Sequence, residues 1–371
     1  MQANVGSAER VAFALRDLFD RYGYRQYKMS KFEEYDLYAR NKDFLISDGV
    51  ITFTDLDGKL MALKPDVTLS IVKNSRDCAG LQKLYYHENV YRVAKGDQGY
   101  REIMQVGLEA LGSVDDYTIA EVLLLAAKSL LTVSEDAVLD ISHLGLLSEL
   151  LDGIGIPTDE KGRLVKLISE KNAHEMAALC RACGVSEEDV SLLRSLIAMN
   201  GSPAEVMPRL EQLLADRVDP ALLKQLKEVV SSLTGSGVEQ LLRIDFSVVD
   251  DMHYYNGFVF KGFVRGLPGS VLSGGQYDKL MEKMKRQDRA IGFAVYADLL
   301  DRLEQPEDDY DVDVVLLYDD QADMALIRRE AEQLRSQGSS VMVTRVTPED
   351  IRCRKMMKIS GNEVFALEND A

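Results

Sequence analysis

Polar and apolar residues alternate clearly over residues 100–112, which predicts a β-strand with two chemically different faces. One face carries Met104, Val106, Leu108 and Ala110, and the other carries Arg101, Gln105, Gly107 and Glu109. Residues 85–93 are aromatic and β-branched and residues 94–99 are typical of a turn, which together predict an antiparallel hairpin. The apolar face has to be buried, so the polar face is open to a ligand, with space above Gly107. The alternative is a half-solvated sheet with ordinary polar residues outside.

The residues before this hairpin predict a helix and a second, smaller hairpin. Helical periodicity at residues 8–22 predicts a helix that ends at Gly23. Residues 50–55 and 60–63 flank turn residues at 56–59, which predicts a β-hairpin.

The segment LKPDVT at residues 63–68 leads into a short amphipathic pattern at residues 69–73, which predicts a helix. Asp66 and Thr68 lie just before this helix, where a carboxylate and a hydroxyl serve as caps. Capping and ligand binding are therefore both open for this pair.

The middle of the chain is predicted to be mostly helical. A helix is predicted at residues 117–131 and a short strand at 137–143. Residues 144–236 carry helical patterns punctuated by Gly and Pro, which predicts a helical insertion between two halves of a sheet.

Sheet patterning returns at residues 242–249. Residues 254–264 predict a bent antiparallel pair, and SGGQYD at 273–278 predicts a tight glycine turn into a helix at 279–285. The two glycines match no phosphate-binding fingerprint, and close steric approach explains them better. Residues 290–300 predict a buried strand or helix.

The C-terminal residues follow a charged linker at 304–309 and read as a small α/β domain. Strands are predicted at 312–318, 341–346 and 364–367, with helices at 323–337 and 348–359. We expect two domains, at residues 1–303 and 310–371.

Composition narrows the class of protein. The chain has 371 residues with a net charge of −17 and a sequence pI near 4.8, a balance that disfavours non-specific nucleic-acid binding. The start of the chain lacks a signal-peptide pattern and no apolar run is long enough to span a bilayer, so we expect a cytoplasmic protein. Cys180 and Cys183 form a CxxC within an apolar helical pattern, which favours two core cysteines over a metal or redox pair.

The order of these segments resembles the catalytic core of class II histidyl-tRNA synthetases. The resemblance covers most of residues 8–300 and rests on LKPDVT at 63–68, GYREIMQVGLEALG at 99–112, DDMHYYNGFVF at 250–260, SGGQYD at 273–278 and AIGFAVYADLL at 290–300. It implies an α+β fold in which helices flank an antiparallel sheet. The helical insertion lies at about 144–236, and the C-terminal domain would be a shortened anticodon-binding domain.

The resemblance also implies a histidine-binding site. The matching residues are Asp66, Thr68, Arg92, Gln105, Glu109, Tyr254 and Tyr255. Asp66, standing for the family's Glu, would hold the amino group together with Thr68 and Gln105. Glu109 and the two tyrosines would bind the imidazole, and Arg92 would face the carboxylate. These groups suit a zwitterion with two ring nitrogens.

The ATP half of the family's site departs from its pattern. Asp250 and Leu299 stand where the synthetases have arginines, and Ala94 stands where they have a glutamate. Lys64 and Gln276 replace two further arginines. Adenylate formation brings two anions together, and each lost stabilising group typically costs about 10²–10³ in rate. The sequence therefore predicts that the chain does not activate histidine.

A synthetase-like chain that keeps a histidine-binding pocket but does not activate histidine resembles the regulatory subunit of ATP phosphoribosyltransferase. That family implies a short-form catalytic subunit as partner, homodimerisation through the synthetase-like core and feedback by L-histidine. It implies no cofactor, metal or nucleic acid. A divergent histidyl-tRNA synthetase, a stand-alone histidine sensor and a vestigial pocket remain open alternatives.

Overall fold

A computed structural model describes residues 7–42, 45, 49–75, 80–93, 99–249, 254–302 and 310–367. The chain forms two compact units, Ser7–Leu303 and a smaller one within Glu304–Ala371. Residues 94–98 of the predicted turn and the linker at 304–309 lie outside the described residues, and so does Asp250.

Eleven helices are described in the larger unit. They are α1 (Ser7–Arg21), α2 (Tyr35–Arg40), α3 (Thr68–Asn74), α4 (Asp116–Val133), α5 (Leu144–Gly153), α6 (Thr158–Ser169), α7 (Ala173–Ala182), α8 (Glu187–Ile197), α9 (Pro203–Leu214), α10 (Pro220–Ser231) and α11 (Asp278–Lys283). Its described strands are β1 (Arg25–Gln26), β2 (Phe32–Glu34), β3 (Thr52–Thr54), β4 (Leu60–Leu63), β5 (Leu81–Val93), β6 (Tyr100–Gly112), β7 (Ala137–His143), β8 (Asn200–Gly201), β9 (Leu242–Asp245), β10 (Phe258–Val264), β11 (Leu272–Gln276) and β12 (Arg289–Tyr296). Short 3₁₀ helices lie at Glu239–Leu241 and Ala297–Arg302.

Nine of these strands form one sheet in the order β1-β5-β6-β12-β11-β10-β7-β9-β8. The central pairs are antiparallel, as predicted, whereas β1 and β5 pair in parallel, as do β7 and β9. The sheet is therefore mixed. Parallel neighbours need a long crossover connection, and the helical insertion supplies it between β7 and β9.

The predicted hairpin is confirmed as β5 and β6, which pair along their whole lengths. Val106 and Leu108 are buried on one face, but Gln105 and Glu109 are only 3% and 2% exposed on the other. The half-solvated sheet is therefore wrong for this part of β6. Side chains from other elements, such as Thr68 and Tyr277, cover the polar face of β6. The alternation of residues within one strand cannot predict this covering layer.

The N-terminal predictions are confirmed. Helix α1 ends two residues before Gly23, whose φ is +81°, a conformation that favours glycine. Strands β3 and β4 form the predicted hairpin, and β2 joins them in a separate three-stranded sheet of order β2-β4-β3.

The insertion is helical from α5 to α10, with the two-residue strand β8 inside it. Cys180 is buried in the large core cluster and Cys183 lies at the C-cap of α7. The core assignment of the CxxC is therefore confirmed for these two residues.

Two local predictions in the second half of the sheet are wrong. Residues 258–264 form the single strand β10, which pairs with both β7 and β11. The glycine pair belongs to strand β11, where a Cβ at Gly274 would overlap the carbonyl oxygen of Gly292 on β12. The prediction that close steric approach explains these glycines is therefore confirmed. The approaching atoms belong to neighbouring strands, and the two glycines lie within a strand instead of a turn. Residues 290–300 form a strand that continues into a 3₁₀ helix.

The smaller unit has one helix among its described residues. It contains β13 (Val312–Tyr318), α12 (Met324–Ser336), β14 (Val341–Thr344), β15 (Cys353–Ser360) and β16 (Glu363–Leu367), with the sheet order β14-β13-β15-β16. The helix predicted at 348–359 is wrong, because β15 runs parallel to β13 and antiparallel to β16. Met356 and Met357 pack on opposite faces of this sheet. A strand that is buried on both faces has a short continuous apolar sequence, and such a sequence is equally compatible with a buried helix.

Candidate functional site

A cavity of ≈ 360 Å³ lies on the polar face of the large sheet. All seven residues proposed from the sequence line it: Asp66, Thr68, Arg92, Gln105, Glu109, Tyr254 and Tyr255. The volume lies within the range of about 300–1,000 Å³ that is typical of small-molecule sites. Residues separated by almost 190 positions in the chain therefore meet in one place.

Glu109 on β6 lies at the acidic end of this cavity. Its Oε1 accepts a hydrogen bond from the Thr68 hydroxyl at 2.8 Å, and its Oε2 accepts one from the Tyr277 hydroxyl at 2.6 Å. Burial, with a smaller contribution from the nearby Asp66, raises the pKa of Glu109 to about 8, although the two hydrogen bonds act to lower it. A Cβ at Gly292 on β12 would overlap Oε2, so the missing side chain there makes room for the carboxyl.

Asp66 both caps a helix and lines the cavity. Its Oδ1 accepts from the backbone N–H of Leu69 at 2.9 Å, in the first turn of α3. Burial raises the pKa of Asp66, while Arg92 acts in the opposite direction. The Arg92 Nε donates to the carbonyl oxygen of Pro65 at 2.9 Å, which orients the guanidinium beside this carboxyl. The capping role is therefore confirmed for Asp66, and ligand binding by Asp66 stays a prediction.

Aromatic side chains form one wall of the cavity. The ring of Tyr254 lies 4.6 Å from that of Tyr255 and 5.9 Å from that of Tyr277, measured between centroids. Burial raises the pKa of the Tyr254 hydroxyl well above its ordinary value, so this hydroxyl stays protonated. The wall therefore offers both apolar ring faces and hydroxyl groups to a ligand.

The space above Gly107 is occupied by the protein itself. A Cβ at Gly107 would overlap the carbonyl oxygen of Phe293, and it would lie 2.5 Å from the Tyr86 hydroxyl oxygen. The prediction that this glycine leaves room for a ligand is therefore wrong, because the Tyr86 side chain and strand β12 take the space.

Six polar cavity residues were missed from the sequence: Tyr86, Lys261, Ser270, Ser273, Tyr277 and Tyr296. Tyr86 pairs with Gly107 in the β5–β6 register, so extending the alternation into β5 would have found it. Lys261 and Ser273 carry no signal of their own, because only the order of strands in the sheet brings them to the cavity.

The sequence departs from the synthetase pattern at five residues, and the structure describes three of them: Lys64, Gln276 and Leu299. Leu299 is partly buried against the main core. The amide of Gln276 donates to Asp278 Oδ2 at 2.6 Å. Lys64 is fully buried, and its ammonium lies 2.5 Å from Glu88 Oε2.

The described residues contain neither a cluster of metal-ligating side chains nor a helix able to span a membrane. No three His, Cys, Asp or Glu side chains in this part of the chain converge as a metal site. None of its helices has the length and apolar character needed to cross a membrane.

The sheet order, the helical insertion and the cavity define a class II synthetase-like protein. The family model described as histidyl-tRNA synthetase matches residues 2–300. The chain therefore belongs to the histidyl-tRNA synthetase family.

Curated relatives carry two kinds of name. The ATP phosphoribosyltransferase regulatory subunit of Oceanobacillus iheyensis is 26% identical over 298 residues, covering 79% of this chain and 73% of the relative. The histidine–tRNA ligase of Thermococcus kodakarensis is 31% identical over 294 residues, covering 76% and 67%. The resemblance predicted from the motifs is confirmed.

Solved structures confirm the α+β synthetase-like fold. An ATP phosphoribosyltransferase regulatory subunit/histidyl-tRNA synthetase from Bacillus halodurans has a TM-score of 0.78 at 23% identity, with 98% of this chain and 97% of that chain covered. The ATP phosphoribosyl transferase (HisG:HisZ) complex from Thermotoga maritima gives a TM-score of 0.60 at 20% identity, covering 77% and 96%.

Proposed function

We propose that this chain is a non-catalytic regulatory subunit of ATP phosphoribosyltransferase. It would activate a short-form catalytic subunit in the first step of histidine biosynthesis and transmit feedback by L-histidine. One observation carries the proposal: polar groups suited to histidine line one cavity, while four arginines of the synthetases' ATP site are replaced by Lys64, Asp250, Gln276 and Leu299 in the sequence. The names of the relatives support the same role.

The cavity has the chemistry that histidine requires. The carboxyls of Asp66 and Glu109, together with the Gln105 carbonyl, suit an ammonium and a ring N–H, whereas Arg92 suits a carboxylate. Such a buried polar site rejects analogues that leave its groups unpaired. At pH 7 a cationic ligand would favour the ionised form of Glu109, and binding would therefore release a proton.

The described departures favour a chain without aminoacylation activity. Leu299 offers no charge, and Gln276 is engaged with Asp278. Lys64 keeps a positive charge, but that charge is neutralised by Glu88. Activation of an amino acid by ATP places two anions side by side, and none of these three described positions offers an unneutralised cation for that step.

Feedback follows from linkage between the two subunits. Histidine inhibits if it binds the inactive arrangement of the complex more tightly than the active one, and the coupling is reciprocal. A coupling of about 1–3 kcal/mol is ordinary for such systems. We further propose that the synthetase-like core forms a homodimer within this hetero-oligomer, in the cytoplasm, without cofactor or nucleic acid.

A divergent histidyl-tRNA synthetase is the second candidate, favoured by the family match and by the ligase relative at 31% identity. Two assays separate the candidates. The regulatory role predicts no histidine-dependent exchange between ATP and pyrophosphate, and a gain of phosphoribosyl transfer when the chain is added to a short-form catalytic subunit. Exchange activity without any such gain would overturn the proposal in favour of the synthetase.

The histidine site has its own test, by calorimetry on the full chain. Tyr254→Phe removes one cavity hydroxyl and should weaken histidine binding about threefold or more. Tyr117→Phe is the matched control, because this tyrosine is 73% exposed at the start of α4. Equal affinity for both variants would place the histidine site elsewhere.

A further inference from the structure

Tyr86 is a buried tyrosine on the sheet that forms the floor of the cavity. It lies on β5 as the register partner of Gly107 on β6, and it is only 2% exposed. A Cβ at Gly107 would lie 2.5 Å from the Tyr86 hydroxyl oxygen and 2.7 Å from the ring carbon that bears this oxygen. The ring of Tyr86 therefore lies across Gly107, and its hydroxyl faces the cavity.

The hydroxyl of Tyr86 has no hydrogen-bond partner among the described residues. Burial raises its pKa well above the ordinary value, and the carboxyls of Glu109 and Asp66 act in the same direction, so the hydroxyl stays protonated and is able to donate. The hydroxyls of Thr68 and Tyr277, in contrast, already donate to Glu109. Buried polar groups normally have a partner, and a ligand with an acceptor in the cavity would supply one.

This hydroxyl lies between two residues of the proposed histidine site. Gly107 is midway along β6 between Gln105 and Glu109, and the side chains of these three positions point to the same face. At about 3.3 Å per residue, the Cα atoms of Gln105 and Glu109 are roughly 13 Å apart. If Gln105 holds the amino group of histidine and Glu109 holds the ring, the Tyr86 hydroxyl meets the side of the ring that is nearer to the amino group.

The imidazole ring offers different groups on its two sides. A neutral ring has one N–H donor and one acceptor nitrogen. Nδ1 is bonded to the ring carbon that carries the methylene group, so it is nearer to the amino group, whereas Nε2 is on the far side of the ring. A carboxyl such as that of Glu109 accepts an N–H, which leaves the acceptor nitrogen for a donor. The tautomer with its hydrogen on Nε2 therefore suits Glu109 and Tyr86 together.

We propose that Tyr86 is a further binding residue of the histidine site, whose hydroxyl donates a hydrogen bond to Nδ1 of the bound imidazole ring. This assignment rests on the histidine site of the proposed function. The bond selects the neutral tautomer that carries its hydrogen on Nε2. Gly107 is required for it, because a side chain at that position would displace the Tyr86 ring.

Calorimetry with histidine on the full chain gives the first test. Tyr86→Phe removes the hydroxyl and keeps the ring, and it should weaken histidine binding about threefold to tenfold. The hydroxyl has no partner in the unliganded chain, so the variant should unfold at the same urea concentration as the wild type or at a higher one. Tyr85→Phe is the matched control, because this neighbouring tyrosine is also 2% exposed but packs in the main core on the opposite face. It should leave histidine affinity unchanged.

Nuclear magnetic resonance of ¹⁵N-labelled histidine bound to the full chain identifies the ring nitrogen. In the wild type we expect a protonated Nε2 and an unprotonated Nδ1 that accepts a hydrogen bond. In Tyr86→Phe the Nδ1 resonance should move to higher frequency, as it does for a ring nitrogen that loses such a bond. Tyr85→Phe should leave both resonances in place. The wild-type spectrum is decisive by itself if Tyr86→Phe does not fold.

The outcomes separate this assignment from the proposed function. Equal histidine affinity of the wild type and Tyr86→Phe, or a protonated Nδ1 in the bound ligand, would overturn the role of Tyr86 and leave the histidine site in place. A loss of stability of unliganded Tyr86→Phe would also overturn it, because the hydroxyl would then be structural. Absence of histidine binding by the wild type would overturn the histidine site and this assignment with it, whereas the regulatory role is measured by phosphoribosyl transfer.

Discussion

Replacing Glu109 by glutamine should stabilise the unliganded chain at neutral pH and weaken its binding of histidine. The side chain is 2% exposed, and its carboxyl accepts bonds from Thr68 and Tyr277. Glutamine has the same shape and keeps a carbonyl for one of these donors. The other hydroxyl rotates to accept from the new amide. The substitution therefore removes a charge with little change in packing.

The gain in stability follows from the pKa. Glu109 has a pKa of about 8 in the folded chain against an ordinary value of 4.5. Between these values the folded chain holds a proton that the unfolded chain has released, so the free energy of unfolding falls as pH rises through that window. At pH 7, about 2.5 pH units above 4.5, this costs the wild type about 3 kcal/mol at roughly 1.36 kcal/mol per unit. The Glu109→Gln variant has no ionisable group at this position, so its free energy of unfolding does not contain this loss.

The loss of binding has a separate cause. A hydrogen bond to a charged group contributes about 1.5–3 kcal/mol, so histidine should bind the variant roughly 10- to 150-fold more weakly. Urea unfolding at pH 5, 7 and 8.5 measures the first effect, and calorimetry with histidine measures the second.

Glu102→Gln is the matched control, because this residue lies on the same strand and is exposed. It should leave both histidine affinity and the pH dependence of stability nearly unchanged. A Glu109→Gln variant that is less stable than the wild type at pH 7 would refute the argument from burial. Unchanged histidine affinity would refute the role of the carboxyl in the site.

Two further substitutions test the cavity and the core. Gly292→Ala should displace the Glu109 carboxyl, abolish histidine binding and lower the free energy of unfolding in urea by about 1–3 kcal/mol. Gly162→Ala is the control at an open helical position, and it should be neutral or stabilise the chain by up to about 1 kcal/mol. Similar effects of the two substitutions would contradict the steric argument. Burial lowers the pKa of His143 to about 4, so its contribution to stability is lost as pH falls from about 6.5 towards 4, by about 2 kcal/mol at pH 5. His143→Asn keeps a capping side chain at the start of α5 and should show a smaller acid loss in the same unfolding series.

Local patterns predicted most elements, whereas the resemblance to the synthetases supplied the candidate site residues. Alternation in β6 placed Gln105 and Glu109 on one face, and cap spacing singled out Asp66. Both signals depend on neighbours within a few residues, and the covalent chain alone determines such spacing. The motif order then brought in Arg92 and the tyrosine pair, all of which line the cavity.

Contacts between distant segments decided the rest. The helix predicted at 348–359 is wrong because β13 and β16, which lie elsewhere in the chain, supply the hydrogen bonds that make β15 a strand. Gly107 and Gly274 are small because other strands and Tyr86 approach them closely. Lys261 reaches the cavity only through the order of four strands, since cross-strand position depends on pairing between segments far apart in the chain. The sequence determined which groups are present, and the tertiary structure decided which of them meet.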